Sequence, residues 1–214
     1  MSNGELILYT VSHSSAAWRV RIALAIKGVE YVSKAVSWDD KEQMAEVLSL
    51  NPSGRIPILV HNGHVLTGSL AIVEYIDEVF LGPKLLPGFP YLRHQARAIA
   101  LHITANIHPL QSRRTQQKLE EMAGEGKGAE WAAYLLHRGL EELENMVAKT
   151  AGKYSIGDKV TLADVCLPAI LYNARRWNAD ISKFSTLIKI EENLAALPAF
   201  DRAHPDKQPD APTK

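Results

Sequence analysis

The pattern of this chain changes once, at Gly82-Pro83, and that change limits what it can fold into. Before it, short apolar runs alternate with helical stretches; after it, strand-like alternation stops. Leu6–Thr10 reads as a strand, residues 16–27 as a helix stopped by Gly28, and residues 31–36 as a second strand returning beside the first. A weaker helical segment covers residues 40–48, and Asn51-Pro52-Ser53-Gly54 punctuates the chain before the run Ile58-Leu59-Val60. Asn62-Gly63 supplies the residues of a two-residue hairpin turn leading to Val65-Leu66-Thr67. Ser69 is expected to cap an apolar helix running to residue 80.

The order β-α-β, linking helix, β-β, α predicts a mixed sheet with helices on both faces, a thioredoxin-like α/β domain over residues 1–81. Gly82-Pro83, Pro87-Gly88 and Pro90 then read as a linker to an all-α helical domain over residues 89–203. Residues 91–114 have helical periodicity, residues 129–149 are amphipathic, and residues 161–173 are largely apolar. Thr161-Leu162-Ala163-Asp164 has the spacing of a capping box, whose loss is expected to cost about 0.5–2 kcal/mol. The glycines at 124, 126 and 128 lack Walker spacing and a preceding strand, so they read as a connection. Residues 204–214, polar and carrying Pro205, Pro209 and Pro212, are expected to form a flexible tail.

Composition narrows the function. Lys plus Arg equals Asp plus Glu at 24 each, so no basic excess draws in nucleic acid or an anionic membrane. Apolar runs fall short of membrane-spanning length, and the N-terminal residues lack the basic, apolar and small-residue order of a secretory signal; a cytoplasmic protein is expected. The single cysteine, Cys166, has no intrachain partner for a disulfide and reads as a buried, inert thiol. The eight histidines are scattered, with neither His-Glu-x-x-His nor a cysteine cluster, and no metal site is expected. Gly-x-Gly-x-x-Gly and Gly-x-Ser-x-Gly are absent, which argues against a dinucleotide fold and an α/β-hydrolase.

Candidate chemistry gathers at the start of the first helix. Ser14 and Ser15 precede a segment whose only charges through Lys27 are Arg19, Arg21 and Lys27 itself, so it reads as buried on more than one side. A helix start presents unpaired amides and the positive end of a dipole, a position that suits a thiolate. The plainer reading of the same spacing is a serine cap with two arginines reaching the surface. Ser14-Ser15-Ala16-Ala17 occupies the place of a Cys-x-x-Cys pair, which rules out dithiol exchange. In Arg55-Ile56-Pro57-Ile58 a proline begins the third strand. A cis bond there would turn the Ile56 backbone outward to pair with an extended peptide; a trans bond would simply start the strand. Ser69, at its helix start, is placed to bind a carboxylate or only to cap.

Ser14-Ser15-x-x-Trp18-Arg19-Val20-Arg21-Ile22-Ala23-Leu24 closely resembles the signature of the zeta-class glutathione transferases, the family that includes maleylacetoacetate isomerase. The resemblance runs through Asn51-Pro52, Ile56-Pro57, the stretch from Ser69 to Tyr75, Ile107-His108-Pro109-Leu110-Gln111, the stretch from Gly157 to Asp164, and His204-Pro205-Asp206-Lys207-Gln208-Pro209-Asp210. It implies that the hydroxyl of Ser14 hydrogen-bonds the glutathione sulfur, with Ser15 and Arg19 beside it. It implies further that Ile56, next to Pro57, pairs with the cysteinyl backbone, that Ser69 holds the γ-glutamyl carboxylate, and that Arg176 binds a substrate carboxylate.

Three positions depart from the family pattern: Ala16 stands in place of cysteine, Gly68 in place of glutamine or glutamate, and His108 in place of glutamine. Loss of the side chain at Gly68 is expected to remove one hydrogen bond to a charged group, about 1.5–3 kcal/mol. His108 either donates a replacement or is only an exposed helix residue. The resemblance implies glutathione-dependent cis–trans isomerisation of maleylacetoacetate in tyrosine and phenylalanine catabolism, transfer of glutathione to small α-halo acids, and a homodimer. Two alternatives stand beside it: a non-catalytic or glutathione-poor binding protein of the same fold, and an isomerase of another unsaturated acid.

Overall fold

The computed structural model describes residues 5–212. In chain order its elements begin β1 (Leu6–Thr10), α1 (Ser15–Lys27), β2 (Val32–Ala35), α2 (Lys41–Leu50), β3 (Ile58–His61), β4 (His64–Thr67) and α3 (Ser69–Val79). Helices follow: α4 (Pro90–Leu101), a π-helical stretch (His102–Ile107), α5 (Arg113–Ala123), α6 (Lys127–Val147), α7 (Leu162–Arg176), α8 (Ser185–Ala195) and α9 (Pro198–Arg202). They form two compact units, one made of residues up to Lys84 together with those from Ala196 onward, the other of Leu85–Ala195.

The first unit is built on a four-stranded sheet in the order β2-β1-β3-β4. β1 lies parallel to β2, as a crossover through α1 requires, and antiparallel to β3, which pairs antiparallel with β4. Asn62 and Gly63 turn the β3–β4 hairpin with φ of 51° and 78°, the left-handed pair that such a short turn demands. α1 ends where Gly28, at φ 64°, returns its amide to the carbonyls of Ala25 and Leu24. Tyr9, Ala17, Val36, Val47, Ile56 and Ile58 pack into one buried cluster, which ties β1, α1, α2 and the start of β3 together. Gly68, at φ 81°, is the residue that precedes α3, and Ser69 is already its first helical residue, so the expected serine cap is not made.

The domain limits differ from those expected. The segment from Ala196 belongs to the first unit and not to the helical one, and residues 204–210 are held there through named contacts. Phe200 is buried, Pro205–Lys207 forms a 3-10 turn, the His204 ring meets Trp18 edge-on at 5.3 Å, and the backbone amide of Ser12 donates to Asp210. Polarity and prolines exclude a regular helix here, but they do not exclude packing through backbone and carboxylate hydrogen bonds.

The second unit is helical throughout its long elements. The single helix expected over residues 91–114 is instead α4 extended by the π-helical turns His102–Ile107, then interrupted around Pro109 and restarted as α5 with Ser112 as its cap. α7 starts as the capping-box spacing predicts. The Asp164 carboxylate accepts from the Thr161 amide at 2.7 Å, from the Thr161 hydroxyl at 3.0 Å and from the Ser155 amide at 2.8 Å. Burial pushes the Asp164 carboxyl above the usual range despite those donors. Glu144 of α6 serves the start of α8, accepting from the amides of Thr186 and Leu187 at 2.9 and 3.0 Å.

Candidate functional site

The Ser14 turn is built from the end of β1. Val11 carbonyl accepts from the Ser14 amide at 3.0 Å, closing a tight turn, and the Ser14 carbonyl accepts from Trp18 at 2.8 Å as the first helical bond. Ser14 itself is extended, with φ −73° and ψ 112°, and its hydroxyl accepts from the Ala17 amide at 3.3 Å. Ser15 is buried as the first residue of α1, Ala16 is half-buried, and the first turn carries no acidic side chain. The N-terminus of α1 therefore keeps its positive end uncompensated by a carboxylate of its own first turn.

Neither arginine of α1 reaches the surface: Arg19 and Arg21 are each 1% exposed. Arg19 Nη1 donates to the Ser69 hydroxyl at 3.3 Å, which joins two of the expected site residues across α1 and α3. Arg21 points the other way. Its Nη2 donates to the Ser12 carbonyl at 2.7 Å, its Nη1 to the Thr10 hydroxyl at 3.0 Å and the Val11 carbonyl at 3.2 Å, and its Nε to the Ala203 carbonyl at 3.3 Å. Burial pushes the Arg21 guanidinium down to about 10, an effect opposed by Tyr31 and Asp210.

The Ile56–Pro57 bond is cis. The β1–β3 ladder begins at Tyr9 and Ile58, so Ile56 lies just beyond the paired strand while its side chain joins the cluster containing Ala17 of α1. Ser14, Ser15, Arg19, Ile56, Pro57 and Ser69 thus all belong to the first unit, on α1, the start of β3 and the start of α3. Gly68 is exposed there, and its positive φ strains any side chain introduced at that position.

Arg176 belongs to the second unit, in the last turn of α7. Its neighbour Arg175 is engaged with Glu191 through both terminal nitrogens, at 2.7 and 2.5 Å. Arg176 is exposed, with its guanidinium 5.4 Å from the centre of the Trp177 ring, and makes no ion pair with a carboxylate among the described residues. His108 is half-buried and follows the π-helical stretch, its amide donating to the Ile103 carbonyl. Among the described residues no cluster of three or more His, Cys, Asp or Glu side chains is arranged to hold a metal, and no helix is long and apolar enough to cross a membrane.

Two family models match the chain: the glutathione S-transferase N-terminal domain over residues 4–78 and the glutathione S-transferase C-terminal domain over residues 113–201. A probable maleylacetoacetate isomerase of Caenorhabditis elegans is 42% identical over 98% of this chain and 98% of its own length. The chain belongs to the zeta-class glutathione transferase family. A maleylacetoacetate isomerase of Anaeromyxobacter dehalogenans, solved with glutathione in its active site, is 41% identical with a TM-score of 0.90, covering 98% of this chain and 100% of that one. A maleylpyruvate isomerase described as a zeta-class transferase is 33% identical with a TM-score of 0.91, covering 96% and 100%. Zeta-class membership accounts for the sheet order of the first unit and the all-helical second unit together. Arg21 and the Ser12–Asp210 bond were not among the expected site residues. An arginine in the middle of a mostly apolar helix is the signal for the first, whereas nothing local in the sequence marks the second.

Proposed function

We propose that this chain is a glutathione-dependent cis–trans isomerase of maleylacetoacetate or a closely similar unsaturated dicarboxylic acid, acting in tyrosine and phenylalanine catabolism. The observation that carries the reading is the start of α1, where Ser14 caps a helix whose first turn has no acidic residue. The residues present fit the tripeptide. Ser14 and the first-turn amides suit a thiolate, Arg19 and Ser69 suit a carboxylate, and Ile56 beside Pro57 offers backbone beyond the end of the ladder.

Glutathione, when bound, supplies a thiolate that adds reversibly to the activated double bond and is returned after rotation. The chain's own part is electrostatic and positional. The Ser14 hydroxyl and the α1 dipole lower the cost of holding negative sulfur, and Arg19 holds the Ser69 hydroxyl in place. Arg176, unlike its occupied neighbour Arg175, is available to pair with a substrate carboxylate. Transfer to small α-halo acids would use the same start of α1.

A maleylpyruvate-type substrate is the second reading, supported by the similarity to the maleylpyruvate isomerase. A homodimer is part of the proposal, supported by exposed Val79 and Leu81 in the first unit and Tyr91 and Leu101 in the second. So is a cytoplasmic location, supported by a lone, buried Cys166.

The decisive experiment is titration of the thiolate absorbance of bound glutathione. It should ionise well below the free thiol's value of roughly 8.5, and Ser14→Ala should raise that value by about one to two units. Absence of any thiolate signal together with no glutathione binding would favour the non-catalytic alternative. Assay of both substrates separates the first reading from the second, and sedimentation at micromolar concentration tests the dimer.

A further inference from the structure

The segment around Ser12 is held from two directions by groups that the reaction itself does not use. Its carbonyl accepts from Arg21 Nη2 at 2.7 Å, and its amide donates to the Asp210 carboxylate, also at 2.7 Å, across 198 residues of sequence. The Ser12 hydroxyl donates to the Asp210 carbonyl at 3.2 Å. His13 Nε2 lies 3.6 Å from the Asp206 carboxylate, and His204 meets the Trp18 ring edge-on. Val11 carbonyl receives both the Ser14 amide and Arg21 Nη1. The turn that ends on Ser14 is therefore enclosed between α1 and the returning segment of residues 203–210.

We propose that Asp210 is a positioning residue for Ser14, acting through the backbone of Ser12, and that residues 203–210 form a strap that fixes the turn presenting the Ser14 hydroxyl. The proposal rests on the glutathione reading of Ser14 given above. A charged acceptor on a buried amide two residues before the cap makes a stronger hydrogen bond than a neutral acceptor does. A Ser14 hydroxyl is useful to a sulfur anion only if its direction is set before the ligand arrives. Asp210 holds the amide of the Val11–Ser12 peptide and Arg21 holds the carbonyls of Val11 and Ser12, so loss of Asp210 leaves that amide without its charged acceptor and loosens the turn.

The test compares Asp210→Ala and Asp210→Asn with the unaltered full chain, using Lys207→Ala as a control that breaks only the exposed Lys207–Asp201 pair of the same segment. Calorimetric titration with glutathione, the thiolate absorbance titration and amide hydrogen exchange over residues 12–17 are the readouts. Asp210→Ala should weaken glutathione roughly tenfold, raise the pH at which the bound thiol ionises, and speed exchange at residues 12–17. Asp210→Asn keeps an oxygen acceptor and should recover much of each effect. Lys207→Ala should change none of them. An Asp210→Ala protein that speeds exchange at these residues but leaves affinity and thiolate titration as they were would overturn the positioning role. If the unaltered chain binds no glutathione, the functional reading fails by itself. The strap is then judged on hydrogen exchange, and unchanged protection at residues 12–17 in Asp210→Ala would refute it.

Discussion

Lys27 and Asp77 form an ion pair at 2.7 Å with side chains 0% and 5% exposed, joining the last turn of α1 to α3. Lys27 also donates to the Pro83 carbonyl at 2.8 Å, so a single ammonium links both helices to the chain leaving the sheet. Removing one partner strands a buried charge. Lys27→Met or Asp77→Leu alone should destabilise the protein by about 3–5 kcal/mol, while the double substitution should recover most of that loss. Urea denaturation of the three variants decides the matter, and additive losses would contradict it.

Asp164 should matter more than a cap alone. Its replacement by Ala leaves the buried amides of Ser155 and Thr161 without their acceptor, for about 2–5 kcal/mol in place of the 0.5–2 expected from capping. Its ionisation also has a pH signature. Because burial raises the folded-state value above the ordinary one, the stabilisation from holding the proton is complete below the ordinary value and disappears as pH rises through the folded value. The stability difference between the natural chain and Asp164→Asn should therefore shrink with rising pH in that window and be level outside it. A difference independent of pH would show that the group does not titrate in the folded state as described.

Gly139 faces Ile107 so closely that a Cβ would lie 2.6 Å from its Cγ1. The Gly139 carbonyl also meets His102 Nε2 at 3.1 Å, so side chains of the π-helical stretch pack directly on the α6 backbone there. Gly139→Ala should cost about 1–3 kcal/mol by overpacking. The same change made in an Ile107→Ala background should cost much less, a coupling that thermal denaturation of the four proteins in the cycle would reveal.

Arg175 and Arg176, adjacent in sequence, should give opposite phenotypes. Arg176→Ala is expected to raise the KM of a dicarboxylate substrate roughly 10- to 100-fold with little change in glutathione affinity, the loss of one charge-assisted pair. Arg175→Ala breaks the pair with Glu191 and should lower stability modestly while leaving KM alone. Steady-state kinetics with each substrate varied in turn would settle the assignment.

Much of the first unit is legible in the sequence because its signals are local: Gly28 stops α1, Asn62-Gly63 turns the hairpin, and the alternation of patterns orders the strands. The box at Thr161 and Asp164 is legible for the same reason. Other features depend on partners far away in the chain. Arg21 looks like a surface arginine until four oxygens from two segments are gathered around it, and residues 204–210 look like solvent-exposed chain until Ser12 is brought to them. The break of the helix near Pro109 is readable in the proline, but the π-helical stretch before it, whose Ile107 packs on Gly139, carries no periodic signal. At the candidate site, the serines, the proline and Arg19 are legible as motif. The conformation at Gly68 is not, and it means that Gly68→Gln would meet backbone strain before it could add a hydrogen bond.

Because residues from Ala196 onward complete the unit that the first strand begins, order of synthesis and order of assembly cannot coincide. A ribosome makes β1, α1 and the whole of Leu85–Ala195 before Ala203 or Asp210 exists to receive Arg21 and Ser12. The nascent sheet must wait with a buried arginine short of one acceptor and the Ser12 amide without its carboxylate. The first unit is therefore completed only after the whole of the helical one has been made.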